Sequence, residues 1–178
     1  MRLVVPAVAA QRHQSFPPVF DRRARVLILG TLPGPASLFA RQYYAHPRNQ
    51  FWPLMQDLSG VPASAPYRAR CAALRAARIA LWDVVREAGR EGSGDAAIRA
   101  ETTNDLAALV RKCPYLRAIL FNGQPAYRLY RRHQADTVRE LRPELPLVVL
   151  PSTSPAHAAL GYSEKRRVWR IALRRVGI

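Results

Sequence analysis

Four short apolar runs punctuate the chain, at 25–29 (opened by Arg25), 79–82, 118–121 and 147–150. Each is too short for a helix and ends in a turn signal: Gly30, Asp83, Asn122-Gly123 and Pro151-Ser152 in turn. Continuous hydrophobicity, rather than alternation, marks strands buried on both faces, as in a parallel sheet. Between the runs the apolar positions take a helical period. Phe51, Trp52, Leu54, Met55 and Leu58 fall on one helical face, and the Ala- and Arg-rich stretch 68–77 suits a helix. Thr103-Asn104-Asp105 can cap a helix running to about residue 111. The stretches 124–132 and 163–176 complete the helical set, and the Gly-rich, polar stretch 87–95 reads as a loop. Strand alternating with helix implies an α/β fold, a three-layer α/β/α sandwich around a parallel sheet.

In an open parallel sheet, ligands bind beyond the carboxyl ends of the strands. That rule singles out the residues that follow each run: Thr31, Leu32, Pro33, Gly34 and Pro35, then Asp83, then Asn122, Gly123 and Gln124, and finally the stretch 151–155. Four separate segments are thereby expected to converge on one edge.

A length of 178 residues fits one domain, here 1–178 with 1–20 as an N-terminal arm, and 49% hydrophobic residues suffice for an ordinary core. There is no internal repeat and no low-complexity segment. No apolar run approaches the roughly 18 residues of a membrane span. The apolar start is interrupted by Pro6 and followed by basic, Pro-rich sequence, so it reads as an arm rather than a signal peptide, and a cytoplasmic location is expected. Charge adds more. Twenty-eight Lys and Arg against 12 Asp and Glu leave +16, which favours phosphate polymers through counterion release. Only Lys112 and Lys165 are lysines. Arginine-favouring codon use accounts for that choice, yet it would also enrich acids and leaves the imbalance standing. Cys71 and Cys113 are far apart, without a CxxC spacing, so neither a zinc nor an iron–sulfur site can be assembled from them and buried thiols are expected.

Three segments carry chemistry. Gly30-Thr31-Leu32-Pro33-Gly34 makes a tight loop whose backbone can approach a sugar, phosphate or base, though it is neither GxGxxG nor a P-loop. Gln42-Tyr43-Tyr44-Ala45-His46-Pro47-Arg48-Asn49-Gln50-Phe51-Trp52 mixes aromatics with amide, imidazole and guanidinium groups. Aromatic faces can sandwich an extruded base while the polar groups hydrogen-bond it or orient water; Phe51 and Trp52 can equally anchor the next helix in the core. Ser152-Thr153-Ser154-Pro155 can present hydroxyls and amides to DNA phosphates or start a helix.

These segments, together with Leu81-Trp82-Asp83-Val84-Val85, Gly92-Ser93-x-Asp95-x-x-Ile98 and Asn122-Gly123, resemble the hypoxanthine-DNA glycosylase family of the uracil-DNA glycosylase superfamily. The likeness runs from about residue 25 to the C-terminus, with the YYAHPRNxFW segment its most specific part. It implies a four-stranded parallel sheet between helices, a base pocket at the C-terminal edge, no cofactor and no metal. It implies hydrolysis of deoxyinosine in double-stranded DNA, with uracil as a further substrate and single-stranded DNA as a further form, by a monomer that needs no membrane. Where many relatives place a polar residue for the attacking water, this chain has Leu32; the resemblance transfers that duty to Asn49. A superfamily histidine that supports the departing base corresponds to Leu150, with His157 downstream.

On this reading Phe51 or Tyr44 stacks on the flipped base, and Asp83 and Asn122 address its Watson–Crick edge. The loop at Gly30, Thr31, Leu32, Pro33 and Gly34 faces base and sugar. Arg48, Ser152, Thr153 and Ser154 hold the DNA backbone. Asn49 positions water, and His46 is either a proton carrier or a structural hydrogen-bonding group. A lyase would need an amine nucleophile, and neither Lys112 nor Lys165 is expected near the pocket, so a monofunctional hydrolase is expected. Two other readings compete: a non-catalytic damaged-DNA-binding module, which Leu32 keeps open, and an enzyme on free nucleosides such as a deoxyribosyltransferase, which +16 of charge disfavours.

Overall fold

The computed structural model describes residues 12–90 and 98–178. Its elements run β1 (Arg12–Gln14), β2 (Val26–Gly30), α1 (Pro35–Ala40), α2 (Phe51–Ser59), α3 (Tyr67–Ala76), β3 (Ile79–Asp83), β4 (Val85–Arg90), β5 (Ile98–Thr103), α4 (Leu106–Lys112), β6 (Ala118–Asn122), α5 (Gln124–His133), α6 (Ala135–Leu141), β7 (Leu147–Leu150) and α7 (Tyr162–Arg175).

The four apolar runs pair into one parallel sheet of order β3-β2-β6-β7, with Gly30 opposite Asp83 and Asn122 opposite Leu150. Alternate residues of a strand face opposite ways. Val26 and Ile28 join one core with Phe51, Leu54, Met55, Leu74 and Trp169, from α2, α3 and α7. Leu27 and Leu29 join a second with Leu106, Leu109, Val110, Ala126 and Tyr130, from α4 and α5. Every residue of β2 is buried because each pleat faces a layer of helices. The three-layer sandwich follows.

The chain leaves β2 toward β3 and returns on the other side of β2 as β6. The strand order therefore reverses between β2 and β6, and loops leaving the two strands part there to open a crevice.

A second sheet, antiparallel with order β1-β4-β5, corrects one expectation and gives the arm its place. The stretch read as a loop from 87 onward is strand as far as Arg90; 91–95, including Gly92, Ser93 and Asp95, lies outside the described residues. Register shifts between β4 and β5 break the alternation that would have announced a strand. The N-terminal arm is built in from residue 12 on: β1 pairs with β4, and Val19 exchanges two backbone hydrogen bonds with Leu81 (2.9 and 2.8 Å). The short helices α1 and α6 are likewise additions to the sequence pattern.

Candidate nucleobase pocket at the sheet's carboxyl edge

Beyond the C-terminal ends of β2 and β3 the backbone ladder continues for two more residues. Val84 N–H donates to the Gly30 carbonyl (2.9 Å) and Val85 N–H to Thr31 (3.0 Å), so the glycine loop is held beside the Asp83 turn. Asn104, 5% exposed, clamps that turn with its amide nitrogen, which donates to the carbonyls of Asp83 (2.9 Å) and Val85 (3.2 Å). The helix cap itself is the next residue: the Asp105 carboxylate accepts from Ala108 N–H at 2.9 Å.

Asp83 is 3% exposed. Its Oδ2 accepts from the Ser15 hydroxyl at 2.8 Å, and its other oxygen faces Gly30. A Cβ placed on Gly30 would lie 2.6 Å from Asp83 Oδ1 and 3.0 Å from the Tyr44 hydroxyl. Carboxylate, phenol and bare backbone thus meet at one point, and only a residue without a side chain leaves them room.

Tyr44 is held with φ 54°, a left-handed backbone that an aromatic residue seldom adopts. Its neighbours enforce it. Trp52 Nε1 donates to the Tyr43 carbonyl (2.9 Å), the Tyr67 hydroxyl accepts from Tyr43 N–H (3.2 Å), and Ser37 Oγ accepts from Ala45 N–H (3.2 Å). Tyr43 itself is core: its hydroxyl donates to the Phe16 carbonyl at 2.9 Å, and burial beside the Asp83 carboxylate pushes the phenol far above its ordinary value. The Tyr44 ring stacks on Phe51 at 4.1 Å and 26°. Phe51 is fully buried between Tyr44, Trp52 and Trp169. Phe51 is therefore no exposed platform for a base; the half-buried Tyr44 lies over it, and Phe51 backs that ring.

His46 to Asn49 form a self-closed turn. His46 Nδ1 accepts from Arg48 N–H (3.1 Å) and the His46 carbonyl from Asn49 N–H (2.8 Å). Accepting at Nδ1 leaves the proton of a neutral imidazole on Nε2. Asn49 is half-buried, with Oδ1 accepting from Phe51 N–H at 3.0 Å, so its carbonyl starts α2. Arg48 is exposed.

The turn after β7 is wired to both neighbours. Thr153 is fully buried, accepting at Oγ1 from Asn122 Nδ2 (2.9 Å) and donating its backbone N–H to Asn122 Oδ1 (2.8 Å). Its carbonyl accepts from Gln50 N–H at 3.0 Å, which joins this turn to the start of α2. A hydroxyl so enclosed has no access to a phosphate, which corrects the expectation for Thr153. Ser152 and Ser154 remain half-buried, their hydroxyl oxygens accepting from Ser154 N–H and Ala156 N–H, both at 3.2 Å. Leu32 is also settled by packing: its side chain joins Val85, Ala88 and Ile98 under the small sheet.

Sequence reasoning missed Ser15 and Gln50, and it placed Lys165 away from the strand-end turns. Ser15 reaches Asp83 from the arm, with no local signal. Gln50, the unspecified position of the motif, has a buried Oε1 that lacks a hydrogen-bond partner among the described residues. Lys165, 2% exposed, donates to the His157 carbonyl at 2.8 Å, so this lysine sits behind the strand-end turn rather than away from it; burial lowers its pKa below the ordinary 10.5. Cys71 and Cys113 are buried free thiols, and the described residues hold no cluster of three metal-ligating side chains. No helix among them is long and apolar enough to cross a membrane.

A parallel α/β sandwich whose switch point gathers a glycine loop, a tyrosine, a buried carboxylate and an amide defines a class: an α/β domain with its candidate ligand site at the carboxyl edge of the sheet. The sequence model of the uracil DNA glycosylase superfamily matches residues 17–174. This chain belongs to that superfamily. It is 42% identical over 114 residues to a hypoxanthine DNA glycosylase of Methanosarcina barkeri, and 40% over 114 residues to one of Methanosarcina acetivorans; each match covers 64% of this chain and 72% of the relative. Its fold is similar to the solution structure of a protein proposed as a uracil DNA glycosylase, from Methanosarcina acetivorans, with a TM-score of 0.79 and 33% identity over 94% of this chain and all of that one.

Proposed function

We propose that this protein is a monofunctional DNA glycosylase that flips hypoxanthine out of double-stranded DNA and hydrolyses its N-glycosidic bond, with uracil as a further substrate. The observation that carries the reading is the meeting of Asp83 Oδ1 and the Tyr44 hydroxyl over the bare Gly30 backbone at the sheet's switch point. A purine extruded into this crevice stacks against Tyr44. Asp83 and Asn122 read its polar edge. Asn122 spends one N–H and one lone pair on Thr153 and keeps one of each for a base.

Cleavage builds positive charge on the sugar and negative charge on the departing base. Backbone groups of the loop 30–34 face the leaving purine. Asn49, its Oδ1 tied to α2, holds water with the rest of its amide; an amide is no base at neutral pH, and an oxocarbenium-like sugar accepts so weak a nucleophile. His46, fixed through Nδ1, can pass a proton at Nε2. Arg48, Ser152 and Ser154 hold the phosphates. The scheme needs no metal or cofactor. The protein acts as a monomer in the cytoplasm, and single-stranded DNA is a second acceptable form because an unpaired base is already free to enter.

The test is a time course on inosine- and uracil-containing duplexes with alkaline strand scission. Asn49→Ala is expected to slow excision by about 10²–10³. Undiminished cleavage by that variant removes the water-holding role; cleavage of neither base by the parent chain overturns the glycosylase reading.

A further inference from the structure

The residue before each of three adjacent strands is an arginine: Arg25 before β2, Arg78 before β3 and Arg117 before β6. The strands run in parallel register, with Val26 opposite both Ile79 and Ala118. The three arginines therefore stand side by side at the amino edge of the sheet, on strands roughly 4.8 Å apart. The ladder itself continues through them: Arg25 N–H donates to the Arg78 carbonyl (2.8 Å) and Arg117 N–H to the Arg25 carbonyl (2.7 Å). Arg78 takes its place with φ 61°, a left-handed backbone that a long side chain seldom adopts.

Two of the guanidiniums meet over the end of α7. Arg25 Nη1 donates to the Gly177 carbonyl (3.1 Å) and Arg117 Nη1 to that of Val176 (3.4 Å). A Cβ placed on Gly177 would lie 3.1 and 3.2 Å from the same two nitrogens. Each arginine spends one of its five N–H donors in this way. Arg78 is exposed, and its side chain makes no hydrogen bond or ion pair among the described residues. Nor does any of the three pair with a carboxylate there. The acids of the loops that enter β2 and β7 are engaged elsewhere, Asp21 with Arg23 and Glu144 with Arg142. Partial burial first, then the charges of Arg78 and Arg117, lower the Arg25 pKa below its ordinary value. The row is a concentration of positive charge that the fold does not neutralise.

Planar guanidiniums with donors to spare fit the phosphates of a nucleic-acid backbone, which accept two parallel hydrogen bonds from one fork. Tyr115, 64% exposed and two residues before Arg117, adds a ring on which a base can lie, a feature that an acidic peptide does not call for. We infer that Arg25, Arg78 and Arg117 form a second phosphate-binding site, which takes the backbone of a nucleic-acid segment other than the one at the pocket. The pocket opens at the carboxyl edge, a strand's length of about 16 Å away, so a segment seated there leaves the amino edge free. The inference goes beyond the glycosylase reading, borrowing from it only the identity of the first segment, and does not depend on hydrolysis.

The test compares the parent chain with Arg78→Gln, which leaves the bonds to α7 untouched, and with Arg78→Gln combined with Arg117→Gln. Two readouts are taken: excision of hypoxanthine from a short inosine duplex with protein in excess, and resonance energy transfer between a donor-labelled inosine duplex and an acceptor-labelled undamaged duplex. The transfer reports bridging whether or not a bond is cut. The parent is expected to bring the two duplexes together. Arg78→Gln lowers the transfer about threefold and the double variant about tenfold, with excision within about twofold throughout. Arg78→Lys keeps most of the transfer, and poly-glutamate displaces the acceptor duplex less readily than unlabelled duplex of equal charge. No transfer in the parent, transfer unaffected by Arg78→Gln, or transfer and excision falling in equal measure would overturn the site. Equally ready displacement by poly-glutamate would give the row to an acidic protein surface, and self-association without DNA that Arg78→Gln abolishes would give it to a second copy; either overturns the assignment to nucleic acid. Excision of no substrate by the parent, with transfer intact and dependent on Arg78, would overturn the hydrolase and keep the second site.

Discussion

At Gly30 the missing side chain makes room for a carboxylate and a phenol. The 2.6 Å contact that a new Cβ would make is with a carboxylate held from behind by Ser15, and a carboxylate so pinned cannot swing aside cheaply. Gly30→Ala is expected to cost about 1–3 kcal/mol in urea unfolding and to lower excision together with stability. A variant of unaltered midpoint and rate would show that Asp83 has more freedom than its contacts describe. The neighbouring positions divide work in a way that residue type does not announce. Tyr44 is half-buried with its hydroxyl beside Gly30, and Phe51 stacks beneath it in the core, although both are aromatics of one motif. Thr153 and Asn122 interlock, while Ser152 and Ser154, in the same turn, keep partial access to solvent.

Among the elements, β5 and α5 are joined at Glu101. Its carboxylate lies 3.3 Å from Arg132 Nη1 and 3.1 Å from His133 Nε2, with its side chain 13% exposed. A hydrogen bond from its own backbone, with His133 next in importance, lowers its pKa below the ordinary 4.5. The folded protein therefore binds this proton less readily than the unfolded chain. The stabilisation is present above the unfolded value and is lost as pH falls through the lowered folded one. Glu101→Gln should flatten the dependence of unfolding free energy on pH between about 3 and 5, measured by urea melts at each pH. An unchanged slope there would place the acid sensitivity elsewhere, for example at Glu87, whose pKa is also lowered beside Arg12. Helix α7 has a different duty: Trp169 Nε1 donates to the Pro151 carbonyl (3.0 Å) and Lys165 to that of His157, so one helix secures both ends of the turn after β7.

Over the whole molecule the surplus of 16 positive charges governs association. Each phosphate neutralised steepens the fall of affinity with salt by about 0.9 in a log–log plot. Arg48, exposed in the motif turn, is expected to supply one such contact. Arg48→Gln should weaken binding to any duplex and reduce the slope by about 0.9, with excision from saturated complexes unchanged. A slope equal to that of the parent would remove Arg48 from the phosphate contacts.

The inner strands β2 and β6 were legible because strands buried on both faces must be apolar throughout; the edge strand β7 is apolar too, although Leu147 is exposed and Val148 and Val149 are only partly covered. The helices were legible through their one-sided period. The convergence of Gly30, Asp83 and Asn122 followed from where those runs end, since parallel strands put all their carboxyl ends on one edge. The small sheet could not be read, because β1 pairs with β4 across more than seventy residues of chain and the register shifts erase the period of two. Nor could the sequence say which side chain of a motif faces the crevice. That depends on contacts between segments: Phe51 lies under Tyr44, Leu32 under the small sheet, and Thr153 against Asn122. Local pattern determined the layers and the edge where chemistry gathers. Long-range packing decided which groups at that edge are spent on the core and which are not.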